Sequence, residues 1–247
     1  VSITPSTLDK LISLGHKVFI EKNAGLQSGF SDSEYSDARF YSRKDLINKS
    51  DIILSVNSSS LGSLNDYRGK ILISNFSLDP NREKLKKETE INKITAFDLS
   101  MIPRTTIAQS MDILSSMAGL SGYKAIIKAA ELLPKIFPMT ITAAGSIKPV
   151  KVVILGAGVA GLQAIATAKR LGAIVEASDP RQAAKEEVLS LGAKFIELPE
   201  INEKPSESGG YAKQVSSEFL EEQRNILTKH LSEADVAICT AQVLGKK

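Results

Sequence analysis

The chain has 247 residues and is 43% hydrophobic, enough to bury one large core or two moderate ones. Its 31 basic and 28 acidic side chains are interspersed and leave a formal charge of only +3, with no basic stripe interleaved with aromatics, so composition speaks against a nucleic-acid partner. The single cysteine, Cys239, excludes an intrachain disulfide framework and a cysteine-rich metal site, and it fits a reducing compartment. No apolar run reaches the roughly 18 residues that a membrane span needs, and no signal-peptide pattern opens the chain. The start at Val1 without a methionine and the end at Gly245-Lys246-Lys247 lead us to expect a piece of a longer protein.

Taken in order, residues 6–14 read as a short amphipathic helix entered through Thr4-Pro5, and residues 18–20 read as the strand that follows the Gly15-His16 turn. Short strands are expected over 52–56, 71–74 and 94–96, with helices around 45–49 and 81–90. A long helical pattern over about 106–133 carries Ile107, Met111, Leu114, Met117, Ile126, Ile127 and Ala130. It is interrupted by Gly119 and Gly122 and stopped by Pro134. After it the periodicity alternates: strand 151–155, helix 159–171, strand 174–177, helix 183–191, strand 195–198. Residues 199–211, rich in Glu, Lys, Ser, Pro and Gly, read as a mobile loop, ahead of a helix over 212–231 and one more buried strand over 234–240.

Such alternation predicts an α/β fold with parallel sheets covered by helices on both faces. We expect two Rossmann-like domains, an incomplete first one over 1–125 and a second over 140–247, joined by the long helix.

The chemistry is concentrated where the second domain begins. Gly156-Ala157-Gly158-Val159-Ala160-Gly161 follows the apolar run Val152-Val153-Ile154-Leu155 and opens a helix. That is the context in which a glycine-rich turn binds a dinucleotide. Gly156 serves the tight turn, Gly158 admits the pyrophosphate to the backbone, Gly161 lets the helix approach the strand, and the helix N-terminus offers N–H groups to the anion. Asp179, just past the next strand, is placed to accept hydrogen bonds from the adenosine ribose and to repel a 2′-phosphate, which favours NAD(H) over NADP(H). Pro180 and Arg181 adjoin it, and Arg181 is the one neighbour able to accommodate such a phosphate.

Three segments together resemble the NAD(H)-binding domain of proton-translocating NAD(P) transhydrogenase, within the alanine dehydrogenase superfamily. They are Ile102-Pro103-Arg104-Thr105-Thr106-Ile107-Ala108-Gln109-Ser110-Met111-Asp112-Ile113-Leu114-Ser115-Ser116-Met117-Ala118, then Ile141-Thr142-Ala143-Ala144-Gly145 ahead of the glycine loop, and Gly209-Gly210-Tyr211-Ala212-Lys213. The resemblance covers nearly the whole chain. It implies that Arg104, Gln109, Asp112 and Ser115 line the nicotinamide pocket. It also implies that Gly210 and Tyr211 belong to a lid over the nucleotide, and that Val159, Ala160 and Ala241 join the glycines in holding it. On a continuous helix Gln109, Asp112 and residue 116 would share one face, with Ser115 beside them.

The implied reaction is hydride transfer from NADH to NADP⁺ held by a separate NADP-binding domain, coupled to proton movement through a membrane domain. The resemblance further implies a homodimer, and a soluble domain at an energy-converting membrane: the mitochondrial inner membrane on its matrix side, or the bacterial cytoplasmic membrane. It implies no metal.

Alanine dehydrogenase is the main alternative, resembled in the Thr4-Pro5 start, residues 141–145 and the glycine loop. Its family uses a lysine after the third strand and a histidine in the next strand's loop for the proton and carboxylate chemistry of an amino acid. Here those places read Ser55-Val56-Asn57 and Asn75-Phe76-Ser77-Leu78, and the histidines, His16 and His230, fall at expected helix ends. An inactive NAD-binding module is the other alternative. Departures from the transhydrogenase pattern are Ile107 for an arginine, Val215 for a methionine, and Gln242-Val243-Leu244-Gly245 for an apolar-Pro-Gly run.

Overall fold

The computed structural model describes residues 1–77, 79–103, 105–199 and 217–240, with no side-chain account of 217–219. It divides into two units, Val1–Ile113 and Leu114–Lys247. No helix among the described residues is long and apolar enough to cross a membrane.

In the first unit, helix α1 (Pro5–Ser13) starts at Thr4 through a capping box with Thr7, and Leu8 is its fully buried contact. Strands β1 (Phe19–Glu21) and β2 (Arg39–Tyr41) pair in parallel, and Leu8, Ile20 and Tyr35 form a small core beside them. Helix α2 (Arg43–Lys49) begins at Ser42, whose hydroxyl accepts from the Asp45 N–H. Three further strands, β3 (Ile52–Asn57), β4 (Ile71–Asn75) and β5 (Thr95–Asp98), form a parallel sheet in that order, with helix α3 (Arg82–Ile91) crossing between the last two. A second small core gathers Ile47, Ile53, Leu61, Leu64, Tyr67, Leu72 and Phe76.

Between β5 and the second unit the expected long helix is corrected. Gln109–Met111 make a single 3-10 turn, Asp112 has an extended backbone (φ −75°, ψ 91°), and helix α4 runs only over Ile113–Leu132. The reason is local: an aspartate directly before an apolar helical run favours the cap position, where the backbone leaves helical geometry. Residues 106–112 therefore do not continue the helix face, and Gln109 and Asp112 do not share it with Ser115 and residue 116.

The second unit adds a hairpin, β6 (Thr140–Thr142) with β7 (Gly145–Ile147), and then β8 (Lys151–Leu155), α5 (Val159–Arg170), β9 (Ile174–Ser178), α6 (Ala184–Ser190), β10 (Lys194–Phe195), α7 (Ser217–Ser232) and β11 (Val236–Cys239). Its four parallel strands lie in the order β10-β9-β8-β11. Counted within this sheet, that is 3-2-1-4, the half of a doubly wound fold in which the chain reverses direction beside the first strand.

Val152, Val153 and Ile154 of β8 are all fully buried, as a central parallel strand covered on both faces requires. Ala164, Ile165 and Ala168 of α5 and Val188 of α6 pack against it, each large side chain contributing about 1.5–3 kcal/mol. Strand β11, expected to be buried, instead alternates between half-buried and exposed residues, and Cys239 is exposed. The cause is its position, since among the described residues it pairs only with β8 and forms the sheet edge.

Candidate dinucleotide-binding site

The site stands at the carboxyl end of β8, where an open α/β sheet leaves a crevice beside the point of reversal. Gly156 takes φ +99°, a conformation other residues avoid, and turns the chain out of the strand. Its N–H donates to the Ser178 carbonyl (2.8 Å) at the end of β9, and its carbonyl accepts from the Thr240 hydroxyl (2.8 Å) just beyond β11. The loop is thus tied to both neighbouring strands.

A β-carbon on Gly161 would lie 1.9 Å from the Gly156 carbonyl oxygen, so only glycine lets α5 approach β8 this closely. Around Gly158 the opposite holds. A β-carbon there would meet nothing within 4 Å, and its extended backbone (φ −80°, ψ −169°) opens the helix. Open space above a helix N-terminus whose first N–H groups lack helical partners fits a bound pyrophosphate.

Asp179 follows β9 and reaches back under this loop. Its carboxylate accepts from the Ala157 N–H (2.8 Å), from the Arg181 N–H (2.9 Å), and from Arg181 Nε (2.9 Å) and Nη2 (3.1 Å). Burial raises the carboxyl's proton affinity, but the bonds from the Arg181 side chain and from the two backbone N–H groups outweigh it and hold Asp179 below the usual carboxylate range. The same pair raises Arg181, whose side chain is 55% exposed while that of Asp179 is 5% exposed. Pro180 is exposed between them.

Sequence reasoning brought together Gly156, Gly158, Val159, Ala160, Gly161, Asp179, Pro180 and Arg181, and the structure places all of them around one loop. It missed three contributors. Thr240 locks the loop, a role that shows only once β11 lies beside β8. Gly119 and Gly122 read in the sequence as interruptions of a helix, yet a β-carbon on Gly122 would lie 2.0 Å from the Ala160 carbonyl oxygen, and one on Gly119 would lie 3.9 Å from the Val159 side chain. They are where α4 crosses the first turn of α5. Ser115, half-buried, lies one turn before Gly119 on that same helix.

Of the remaining expected residues, Gln109 is exposed in its 3-10 turn and Asp112 is half-buried, both in the first unit. Ile107 is 89% exposed. Arg104, Gly210, Tyr211 and Ala241, with Val215 and the run from Gln242, lie outside the described residues. His230, expected to be a solvated helix-end residue, instead stands 2.7 Å from a Glu176 carboxylate oxygen, and Lys151 lies 3.1 Å from the same oxygen. This cluster joins α7 to the sheet at the start of β8, away from the loop.

A parallel sheet half in this strand order, a glycine turn and an acidic clamp at its carboxyl end define a Rossmann-type nucleotide-binding α/β protein. Two sequence profiles of one family match the chain end to end: alanine dehydrogenase/PNT, N-terminal domain, over residues 1–121, and alanine dehydrogenase/PNT, C-terminal domain, over residues 125–247. The chain belongs to this alanine dehydrogenase/PNT family, on its transhydrogenase side. It is 43% identical to the first polypeptide of the NAD(P) transhydrogenase alpha subunit of Rickettsia prowazekii, an alignment covering all of this chain and 66% of that protein. It likewise aligns throughout with the crystal structure of transhydrogenase from Sinorhizobium meliloti (TM-score 0.86, 39% identity, 67% of that chain). An L-alanine dehydrogenase structure matches less well, with TM-score 0.68 and 25% identity over 79% of this chain and 56% of the other. The chain therefore spans about two-thirds of the length of the transhydrogenase relatives.

Proposed function

We propose that this chain is the NAD(H)-holding portion of an NAD(P) transhydrogenase and passes a hydride from NADH to NADP⁺ held on a partner domain, coupled to proton movement through a membrane domain. The observation that carries the reading is the loop over 156–161, clamped by Asp179 and Thr240, in a chain whose transhydrogenase likeness runs through both units. Two domains, 1–125 and 140–247, a homodimer, and residence of this soluble portion at an energy-converting membrane belong to the same proposal.

In this reading the glycine loop and the first turn of α5 hold the pyrophosphate, and Val159 and Ala160 line its approach. Asp179 takes the adenosine ribose, with Pro180 and Arg181 beside it, and its negative charge disfavours a 2′-phosphate. Gly210, Tyr211 and Ala241 cover the nucleotide. Arg104, Gln109, Asp112 and Ser115 position the nicotinamide end and exclude water there. The bound coenzyme supplies the hydride; because no proton accompanies a ring-to-ring hydride, the chain needs no general acid or base at that point. Its contribution is orientation, where small errors in approach are costly.

The alanine dehydrogenase alternative asks for a lysine and a histidine at the carboxyl ends of β3 and β4. Those ends carry Ser55, Asn57, Asn75 and Ser77, which supports the transhydrogenase reading. The deciding experiment mixes the protein with NADH, an NADP⁺ analogue and the NADP-binding partner domain and follows hydride exchange. Exchange is expected. Alanine-dependent reduction of NAD⁺ would favour the rival, and NADH binding without exchange would favour an inactive module. Gln109→Leu and Arg104→Ala should slow transfer far more than they weaken NADH binding; equal losses would remove the positioning role.

A further inference from the structure

An ionised carboxylate offers about four lone-pair directions to donors. At Asp179 all four are taken: Oδ1 accepts from the Arg181 backbone N–H and Nε, both at 2.9 Å, and Oδ2 accepts from the Ala157 N–H at 2.8 Å and Arg181 Nη2 at 3.1 Å. Two of the donors are backbone groups fixed by the turn. The other two are one edge of the Arg181 guanidinium, which also reaches the Ala157 carbonyl (3.4 Å) and whose side chain is more than half exposed. A ribose diol presents the same pattern, two adjacent donors for the two oxygens of one carboxylate. It can be held by Asp179 only where the guanidinium now lies.

We propose that Arg181 is a specificity-determining competitor of the ribose diol: its guanidinium occupies the diol's place on Asp179 and has to swing away before the adenosine ribose is held. The inference rests on the reading of this loop as an NADH site. Without nucleotide, the arginine keeps a buried carboxylate paired and the loop pinned. With nucleotide, a vicinal diol supplies two donors in exchange for the two it removes, whereas a sugar without hydroxyls has nothing to exchange and leaves the clamp closed. Arg181 thereby lowers affinity for every ligand that uses Asp179 and for no ligand that does not.

The test compares NADH, adenosine monophosphate and its 2′,3′-dideoxy analogue by calorimetry on the full chain and on Arg181→Ala. The variant is expected to bind NADH and adenosine monophosphate about threefold more tightly, the scale of a partly exposed ion pair, and the dideoxy analogue with unchanged affinity. That unchanged affinity also reports an intact loop. Arg181→Lys, which keeps the charge but loses the planar fork, should move in the same direction by less, and it carries the test if Arg181→Ala does not fold. Weaker binding of both monophosphates would overturn the proposal, because the arginine would then be contacting nucleotide directly. An unchanged ratio between the two would overturn it as well. Failure of the unmodified chain to bind NADH would instead remove the nucleotide reading of the loop, and this inference with it.

Discussion

Asp98 and Asp179 stand at corresponding places in the two units. Asp98 is the last residue of β5 and Asp179 directly follows β9, and each carboxylate reaches sideways to hold the backbone of the loop leaving the adjacent parallel strand. Asp98 accepts from the N–H groups of Phe76 (3.1 Å), Ser77 (2.8 Å) and Ser100 (3.0 Å), from the Ser100 hydroxyl (2.6 Å), and from the Ser77 hydroxyl. Every donor there is backbone or a short side chain with no reach to leave. At Asp179 half of the donors belong to a long, largely exposed arginine. The same device seals one sheet end and leaves the other exchangeable, and only the second has a glycine turn and open space in front of it.

Breaking the comparison at its glycines should have the largest effect. Gly161→Ala puts a methyl group into the Gly156 carbonyl and is expected to cost about 3 kcal/mol in urea unfolding and to abolish NADH binding. Gly122→Ala, facing the Ala160 carbonyl, should cost about 2 kcal/mol and weaken NADH binding by displacing the first turn of α5. If both variants bind NADH normally, close approach is not what shapes the loop.

Exchanging the carboxylates sharpens the contrast. Asp98→Asn and Asp179→Asn should each lose about 2 kcal/mol of stability, since each removes an anion from several donors. Only Asp179→Asn should raise the NADH dissociation constant, by about tenfold or more. Equal effects of both variants on NADH binding would mean that the two clamps do not differ in function.

Acid should act on both clamps alike. Hydrogen bonds hold Asp98 and Asp179 below the usual carboxylate range in the folded protein despite burial that raises them. Their stabilisation is therefore complete above the unfolded value of about 3.9 and is lost as pH falls through the lower folded values. Urea midpoints measured between pH 7 and 3 should show the deficit of either asparagine variant constant near neutrality and shrinking below about pH 4. A deficit that persists undiminished in acid would separate the clamps from ionisation.

The smallest effect lies on α4. Gly119 has only an ordinary contact ahead of its β-carbon position, so Gly119→Ala should raise stability by up to about 1 kcal/mol through helix propensity, opposite in sign to Gly122→Ala one turn away. Thermal unfolding of the two variants side by side measures it.

Much of this is legible in the sequence where a signal is local. The strand at 151–155, the helix after it and the glycine turn between them are written in a continuous apolar run, a 3.6-residue period and the placement of glycines, and all three appear as expected. Strand β2 and the hairpin of β6 with β7 are not, because segments of three residues carry too little periodicity and form only when a partner strand supplies their hydrogen bonds. The start of α4 departs from expectation for a related reason: apolar spacing continues upstream of Asp112, but a cap residue at the boundary outweighs it.

By itself, then, the sequence determined that the chain alternates strand and helix, that a dinucleotide-type turn opens its second half, and that an acidic residue follows the next strand. It could do so because conformational freedom, hydrophobic period and charge are properties of neighbouring residues. Tertiary structure alone decided that Thr240 and Ser178 hold the loop, that Gly122 is a crossing point rather than a break, and that Arg181 fills the carboxylate. Each of these depends on groups brought together by parallel strand pairing and close helix packing, and on which lone pairs remain to be shared once they meet.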